Sequence, residues 1–150
     1  MHAKLFVDDY QPRLARYLGL PEEATDLDRH RYISEGIPLD HVANLQKQVA
    51  IDFELIGGIN LIARLACKQV SSAALSGQRL SADESDRLLR VLHVLVVGES
   101  LFGDRAKALH WLSTPKQRFG GSSPIEMLNT HIGAGLVEEL LVQLAEGLVL

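Results

Sequence analysis

The hydrophobic and polar residues of this chain follow the period of an α-helix, and no useful length shows the alternation of a β-strand. Between Leu39 and Val49 the apolar residues are spaced by three, three and four positions, which predicts a helix from Pro38 to Val49. Further helices are predicted over residues 11–18, 69–76 and 81 to about 97. We therefore expect an all-α fold.

Helix-capping residues mark where several helices begin. Thr25 is suited to cap a helix that ends at Gly36. The sequences SADE at residues 81–84 and SPIE at residues 123–126 are capping boxes, in which serine and glutamate each satisfy a free backbone N–H. Other predicted starts, stops and turns are Asp52, Gly103–Asp104, Pro115, Gly120–Gly121, Thr130 and Gly147.

Apolar positions on the last three long helices are expected to face the core. In the helix that begins after Ser81 they are Leu88, Leu89, Leu92 and Leu95. In the next helix they are Ala108, Leu109 and Leu112, and in the last they are Leu136, Val137, Leu140, Leu141 and Leu144.

Composition changes this picture little. The 150 residues suit one compact domain or two small ones sharing a core. Hydrophobic residues make up 47% and charged residues 23%, which excludes a disordered chain. The net charge of −4 argues against a protein that coats nucleic acid or an anionic membrane through bulk charge, although a local basic patch stays compatible with DNA contact.

A cytoplasmic location is expected. The lone cysteine, Cys67, lies in an apolar run and cannot form an internal disulfide, which suits a reducing compartment. Asp8 and Asp9 interrupt the N-terminus before the apolar core of a signal peptide. The apolar run from Val91 to Val97 is far too short to span a bilayer, so no membrane partner is expected.

Catalytic chemistry is not evident. The six histidines show no helical i, i+4 pair and no neighbouring cysteine, so no metal site is predicted. The paired glycines at 57–58 and 120–121 lack the strand context of a phosphate-binding loop. We expect neither an enzyme nor a cofactor.

Residues 37–90 have the length and helix count of a helix-turn-helix unit, preceded by a helical leader over residues 1–36. The candidate recognition helix runs from Gln69 to Ser76. Serine-rich short helices also serve as plain connectors, and that alternative stays open. The candidate DNA-binding residues are Lys68, Gln69, Ser71, Ser72, Ser76 and Arg79.

Residues 81–150 resemble the toxin-binding part of the Xre/MbcA/ParS antitoxins. The resemblance depends on FGD, a helix ending in WL, then TP, a GG turn and SPIEMLNT, in that order. Its signature residues are Phe102, Gly103, Asp104, Trp111, Pro115, Gly120, Gly121 and Pro124. Upstream, RHRYISEGIPLDHV is similar to the entry of the family's Xre-like helix-turn-helix, whereas residues 49–80 depart from its usual spacing.

The resemblance implies an antitoxin that pairs with a RES-domain toxin, which depletes NAD, and that covers the toxin's active-site cleft. It also implies a homodimer that assembles with toxin and binds operator DNA. Residues 91–150 would be the toxin-binding domain. The competing hypothesis is a stand-alone helix-turn-helix regulator whose C-terminal helices only dimerise.

The last helix and the segment after it are predicted to plug the toxin's pocket. Leu148, Val149 and Leu150 follow a helix stop and would supply apolar contacts. Glu138, Glu139 and Glu146 would add attraction to the cationic groups of a pocket that holds a dinucleotide. In the alternative, the tail folds back onto its own core.

Overall fold

The computed structural model describes residues 9–49 and 77–147, and within these ranges the protein forms seven α-helices and no β-strand. The expected all-α fold is confirmed. The helices are α1 Tyr10–Leu18, α2 Asp26–Glu35, α3 Leu39–Val49, α4 Ala82–Phe102, α5 Arg105–Ser113, α6 Pro124–Met127 and α7 His131–Ala145, with a 3-10 helix at Gln117–Phe119. The helices predicted after Asp52 and over residues 69–76 lie outside the described residues.

Helix α4 is the centre of the fold. It is 21 residues long and contacts α1, α2, α5 and α7. It ends at Phe102, five residues beyond the predicted end near Val97. Gly103 follows directly and adopts φ +74°. The glycine inside it, Gly98, is a packing position, because a Cβ there would lie 3.3 Å from the Cβ of Ala108 on α5.

One hydrophobic core joins the first and the last of the described helices. It includes Leu14 and Leu18 of α1, Val42 of α3, and Val137 and Leu141 of α7, all packed in one cluster with α4. The predicted domain boundary between residues 90 and 91 falls inside α4. The division into a helix-turn-helix region and a toxin-binding domain stays a prediction.

Most of the predicted core positions are buried or half-buried, and one is wrong. Leu136 has 43% of its surface exposed, because α7 turns its Gly133, Val137 and Leu141 side toward α4 and leaves Leu136 at the edge of the contact. Leu88, Leu92, Leu95, Ala108, Leu112, Val137, Leu140 and Leu141 are buried, and Leu89, Leu109 and Leu144 are half-buried.

A short antiparallel bridge fixes where α3 begins relative to α4. The backbone N–H of Leu39 donates to the carbonyl of Gln78, and that of Leu80 donates to the carbonyl of Ile37, each at 2.9 Å. Gly36 has φ +94°, and a Cβ there would lie 2.1 Å from the Leu80 oxygen, so the two segments of the bridge meet only because this residue is glycine.

The predicted caps that fall within residues 9–49 and 77–147 are present. Thr25, Ser81 and Ser123 each close a capping box with the acidic residue three positions on. Asp104 and Thr130 cap α5 and α7, accepting from the N–H groups of Ala106 at 2.8 Å and Gly133 at 2.9 Å respectively.

Candidate protein-binding surface

The signature residues build the turns between α4 and α7. Gly103 ends α4 and Asp104 caps α5 directly afterwards. Gly120 and Gly121 have φ of +65° and +92°, and the N–H of Gly121 donates to the carbonyl of Lys116 at 3.0 Å. Pro124 occupies the first turn of α6 and is buried. The motif therefore encodes a sequence of caps and reversals that sets the direction of α7.

The start of α7 depends on a close approach between two helices. A Cβ on Gly133 would lie only 1.9 Å from the carbonyl oxygen of Met127 and 3.0 Å from the Thr130 hydroxyl. Glycine is therefore required at this position, since any side chain would displace α7 from the end of α6.

An open groove lies between the α5–α6 connection and the second half of α7, with a volume of about 420 Å³. Trp111, Pro115, Leu140 and Leu144 give it apolar walls. Lys116 lies at its edge with its ammonium 5.2 Å from the centre of the Trp111 ring, and partial burial lowers the pKa of this lysine. The groove can accept an apolar side chain, while cationic groups stay at its margin.

The first half of α7 carries a second apolar surface, which is exposed. Ile132 is 77% exposed and Leu136 is 43% exposed, although both are large hydrophobic residues. They are four positions apart and share one side of the helix with Gly135 and Glu139. We call these four residues the α7 edge.

The signal for this edge was present in the sequence. The apolar residues of α7 from Ile132 to Leu144 spread over more than half of a helical wheel, which is wider than the stripe of about 100° that a helix packed on one side buries. The predicted core face included Leu136 and left Ile132 out, so the exposed edge was not predicted.

Of the predicted toxin-binding residues, the three that the structure describes do not all lie on one side of α7. Glu138 is half-buried and faces α4, with its Oε1 3.4 Å from Nε2 of His93. Glu139 and Glu146 are exposed, on the α7 edge and just after the last turn of α7 respectively. Leu148, Val149 and Leu150 lie outside the described residues.

The predicted DNA-binding residues fall almost entirely outside the described residues. This applies to Lys68, Gln69, Ser71, Ser72 and Ser76. Arg79 is described and exposed, and its Nη1 donates to the backbone carbonyl of Gly36 at 2.9 Å. This arginine therefore also stabilises the bridge that precedes α3.

Two further results concern the described residues alone. Across residues 9–49 and 77–147, histidine, cysteine, aspartate and glutamate nowhere come together in a group of three that could hold a metal ion. Over the same ranges, no helix combines the length and apolar character needed to cross a membrane.

Comparison with known proteins shows that the C-terminal part of the chain matches a toxin-binding domain. Residues 98–147, which contain the groove and the α7 edge, match the family model described as the antitoxin Xre/MbcA/ParS C-terminal toxin-binding domain. The fold and motif thus define an antitoxin.

Relatives extend the match to most of the chain. An Antitoxin Xre from Pseudomonas putida is 36% identical over 142 residues, covering 93% of this chain and 84% of the relative. An Antitoxin Xre from Photorhabdus laumondii is 30% identical and covers 91% of this chain and 90% of its own length. A Prs ADP-ribosylating antitoxin from a Sphingobium species is 27% identical over 134 residues, covering 83% and 82% respectively. The chain belongs to the Xre family of antitoxins.

Proposed function

We propose that this antitoxin neutralises a RES-domain toxin that degrades NAD, by covering the toxin's catalytic cleft with α7 and the segment that follows it. The observation that supports this most is the exposed apolar α7 edge, which lies inside the matched toxin-binding domain. The antitoxin contributes no reaction of its own.

The α7 edge is large enough to contribute to binding. Burial of a side chain such as Ile132 or Leu136 against a partner contributes roughly 1.5–3 kcal/mol each, before the cost of association. Glu139 on the same edge and Glu146 near the end of α7 place negative charge beside these apolar contacts. A pocket that binds the phosphates of NAD contains cationic groups, so this arrangement suits its entrance.

The residues from Leu148 to Leu150 complete the proposal. They follow Gly147, which has φ +70° and lies just beyond the last turn of α7. In our proposal they insert into the cleft beyond the contact that the α7 edge makes.

Neutralisation can be tested by coexpression with the co-encoded toxin. Ile132→Asp combined with Leu136→Asp should abolish rescue of growth and capture of the toxin, because two carboxylates would enter an apolar contact. Leu27→Asp is the matched control, since Leu27 is 55% exposed on α2 and lies outside the matched domain. Deletion of residues 147–150 should separately abolish rescue. Full rescue by the double variant would refute a role for the α7 edge, and full rescue by the truncated chain would refute the plug.

The name of the Sphingobium relative, Prs ADP-ribosylating antitoxin, favours a second candidate for the toxin's activity. ADP-ribosyl transfer consumes NAD as its donor, so an ADP-ribosylating toxin would have a similar dinucleotide pocket. Incubating the isolated toxin with NAD distinguishes the two: hydrolysis without protein labelling supports degradation, and labelled protein supports ADP-ribosylation.

We propose in addition that the protein acts in the cytoplasm as a homodimer, alone or assembled with toxin, and represses its own operon through residues 37–90. The candidate contacts are Lys68, Gln69, Ser71, Ser72, Ser76 and Arg79. Lys68→Ala should weaken operator binding and reduce its salt dependence. Arg79→Ala tests DNA contact less cleanly, because Arg79 also bonds to Gly36.

Absence of any operator complex at low salt, together with normal toxin capture, would remove the regulatory role and leave neutralisation intact. Normal operator binding without toxin capture would instead support a stand-alone regulator.

A further inference from the structure

The groove between the α5–α6 connection and α7 carries positive charge that the neutralisation proposed above does not use. Two charged side chains line it, and both are cations, Lys116 and Arg118. Among the described residues, its lining contains no carboxylate. In a chain of net charge −4, this groove is a local reversal of sign. It therefore differs from the α7 edge, whose charged residue is Glu139.

The carboxylates that are close to the groove in the sequence point elsewhere. On α7, Glu138 faces α4, Glu139 lies on the α7 edge and Glu146 is exposed after the last turn. Glu126 closes the capping box of α6. Burial lowers the pKa of Lys116, as expected of an ammonium that no carboxylate stabilises. The lysine therefore stays available for the anion of a partner.

The signature residues hold Lys116 in place. Its ammonium lies over the ring of Trp111, 5.2 Å from the centre, and Phe102 packs against the same indole with 5.8 Å between the ring centres. The backbone of Lys116 is bound by the turn that follows it. Its N–H donates to the carbonyl of Ser122, and its carbonyl accepts from the N–H of Gly121, each at 3.0 Å. A lysine held in this way loses less conformational freedom on binding than a free surface lysine.

The groove and the α7 edge form one continuous strip along α7. Leu140, on the groove wall, follows Leu136 of the α7 edge by four residues, and Leu144 follows by four more. Residues 98–147, which match the toxin-binding domain, contain the whole strip. A toxin that covers the α7 edge therefore has the groove beside it.

The chemistry of the groove indicates what enters it. A partner that closes over the groove takes water away from Lys116. An ammonium covered without a counter-charge destabilises a complex, whereas one that meets a carboxylate gains a charge-assisted hydrogen bond. The apolar walls favour an aliphatic or aromatic side chain. A stacked nucleic-acid base fits less well, because Lys116 already covers one face of Trp111.

We propose that the groove binds an acidic, apolar segment of the toxin that lies outside the catalytic cleft. The apolar side chain packs against Trp111 and Leu144, and the carboxylate meets Lys116, with Arg118 attracting it from the rim. This inference depends on the neutralisation proposed above and adds a second contact of opposite sign. The negative charge of Glu139 and the positive charge of Lys116 then fix which way the toxin lies along α7, since a reversed complex would bring like charges together.

The test measures the affinity of the purified antitoxin for the co-encoded toxin across a salt series. Lys116→Gln should weaken binding about 10- to 100-fold, mainly through faster dissociation. Lys116→Arg keeps the positive charge and its place over Trp111, and should bind within about threefold of the native chain. Arg118→Gln, on the exposed rim, should weaken binding roughly two- to fivefold and reduce its salt dependence. Lys107→Gln is the charge-matched control and should bind like the native chain, since Lys107 is exposed on α5 outside the groove.

Reversing the charge supplies a second test. Lys116→Glu should abolish capture of the toxin, because two carboxylates would then meet in the groove. Exchanging the surface carboxylates of the toxin for lysine, one at a time, should yield a toxin that Lys116→Glu captures again. Failure of every such exchange would overturn the contact with a carboxylate.

Other results would also overturn the inference. If Lys116→Gln and Arg118→Gln bind toxin like the native chain while Ile132→Asp with Leu136→Asp does not, neutralisation stands without the groove. If Lys116→Arg binds no better than Lys116→Gln, the lysine does not act through its charge. Loss of self-association or of duplex binding with unchanged toxin affinity would assign the groove to a second copy or to nucleic acid. If Lys116→Gln lowers the melting temperature, Arg118→Gln decides, because its side chain is exposed. A native chain that binds no toxin would refute neutralisation itself, and this inference with it.

Discussion

Two regions of this antitoxin are held together by different kinds of contact. From Asp104 to Gly133, the capping hydrogen bonds join residues two or three positions apart, as in Ser123 with Glu126. Between α1 and α4, the polar contacts join residues more than eighty positions apart, as in Tyr17 with Glu99 and Tyr10 with His93. The first region is an ordered set of local turns, and the second is a buried polar junction that exists only after the chain has folded.

The largest expected effect comes from Gly133, where α7 approaches the end of α6. Gly133→Ala should lower the free energy of unfolding by about 3 kcal/mol, because the new methyl group would meet the Met127 carbonyl. Gly135→Ala is the control on the same helix, since nothing lies within 4 Å of its Cβ position, and it should stabilise the protein by about 0.5–1 kcal/mol. Urea unfolding of both variants measures the difference, and equal stabilities would contradict the close approach.

The polar junction should be the next most sensitive. Tyr17→Phe removes the donor to the buried Glu99 and should cost about 2 kcal/mol. Combining it with Glu99→Gln in a double-mutant cycle should give a coupling energy of about 1 kcal/mol, because both substitutions break one interaction. Strictly additive effects would show that the two side chains do not act together.

Two of the capping boxes differ in burial, so their contributions to stability can be compared. Ser123→Ala should cost about 1 kcal/mol, because Ser123 is buried and begins the helix that positions α7. Thr25→Ala should cost about 0.5 kcal/mol, because Thr25 and its partner Asp28 are exposed. Thermal melts give the ranking, and a larger loss at Thr25 would reverse it.

The smallest expected effect is a loss of stability at alkaline pH, which arises from the tyrosines of the polar junction between α1 and α4. Burial raises the pKa of Tyr10 from 10.0 to about 12, against a smaller opposing effect of Arg29. The folded protein therefore keeps this phenol protonated where the unfolded chain ionises. The contribution is complete below pH 10.0 and is lost as the pH rises toward about 12.

At pH 10.0 the loss from Tyr10 is about 0.4 kcal/mol relative to neutral pH. Burial and the bond to Glu99 also raise the pKa of Tyr17, which adds a loss of the same sign. Denaturant unfolding of the native chain and of Tyr10→Phe at the two pH values measures the share of Tyr10. An equal loss in both proteins would show that Tyr10 contributes nothing.

The same contrast explains what could be predicted from the sequence. Ser81, Ser123 and Thr130 act on N–H groups three positions away, so their roles follow from short motifs. The predicted end of α4, near Val97, is too early, because the helix continues through Gly98, which packs against Ala108 of α5. The helix predicted after Asp52 and the candidate DNA-binding residues from Lys68 to Ser76 lie outside the described residues. Both stay predictions.

The candidate surfaces show the same limit. The motif located the toxin-binding domain, but periodicity alone put Leu136 in the core and left Ile132 unassigned. Which edge of a wide apolar helix is covered depends on where its neighbours lie, and no local pattern contains that information. The gathering of Arg13 and Arg105 around Glu99 is likewise a product of tertiary folding.

The continuity of α4 constrains how such antitoxins can exchange parts by recombination. At 21 residues it is a rod of about 30 Å whose two ends serve different neighbours. A crossover at residue 90 would join half-helices from different parents, and Leu92 and Leu95 would then have to fit a foreign set of partners. Crossovers before Ser81 transfer the whole rod with the helices that follow it, so hybrids with a new target specificity should inherit α4 intact.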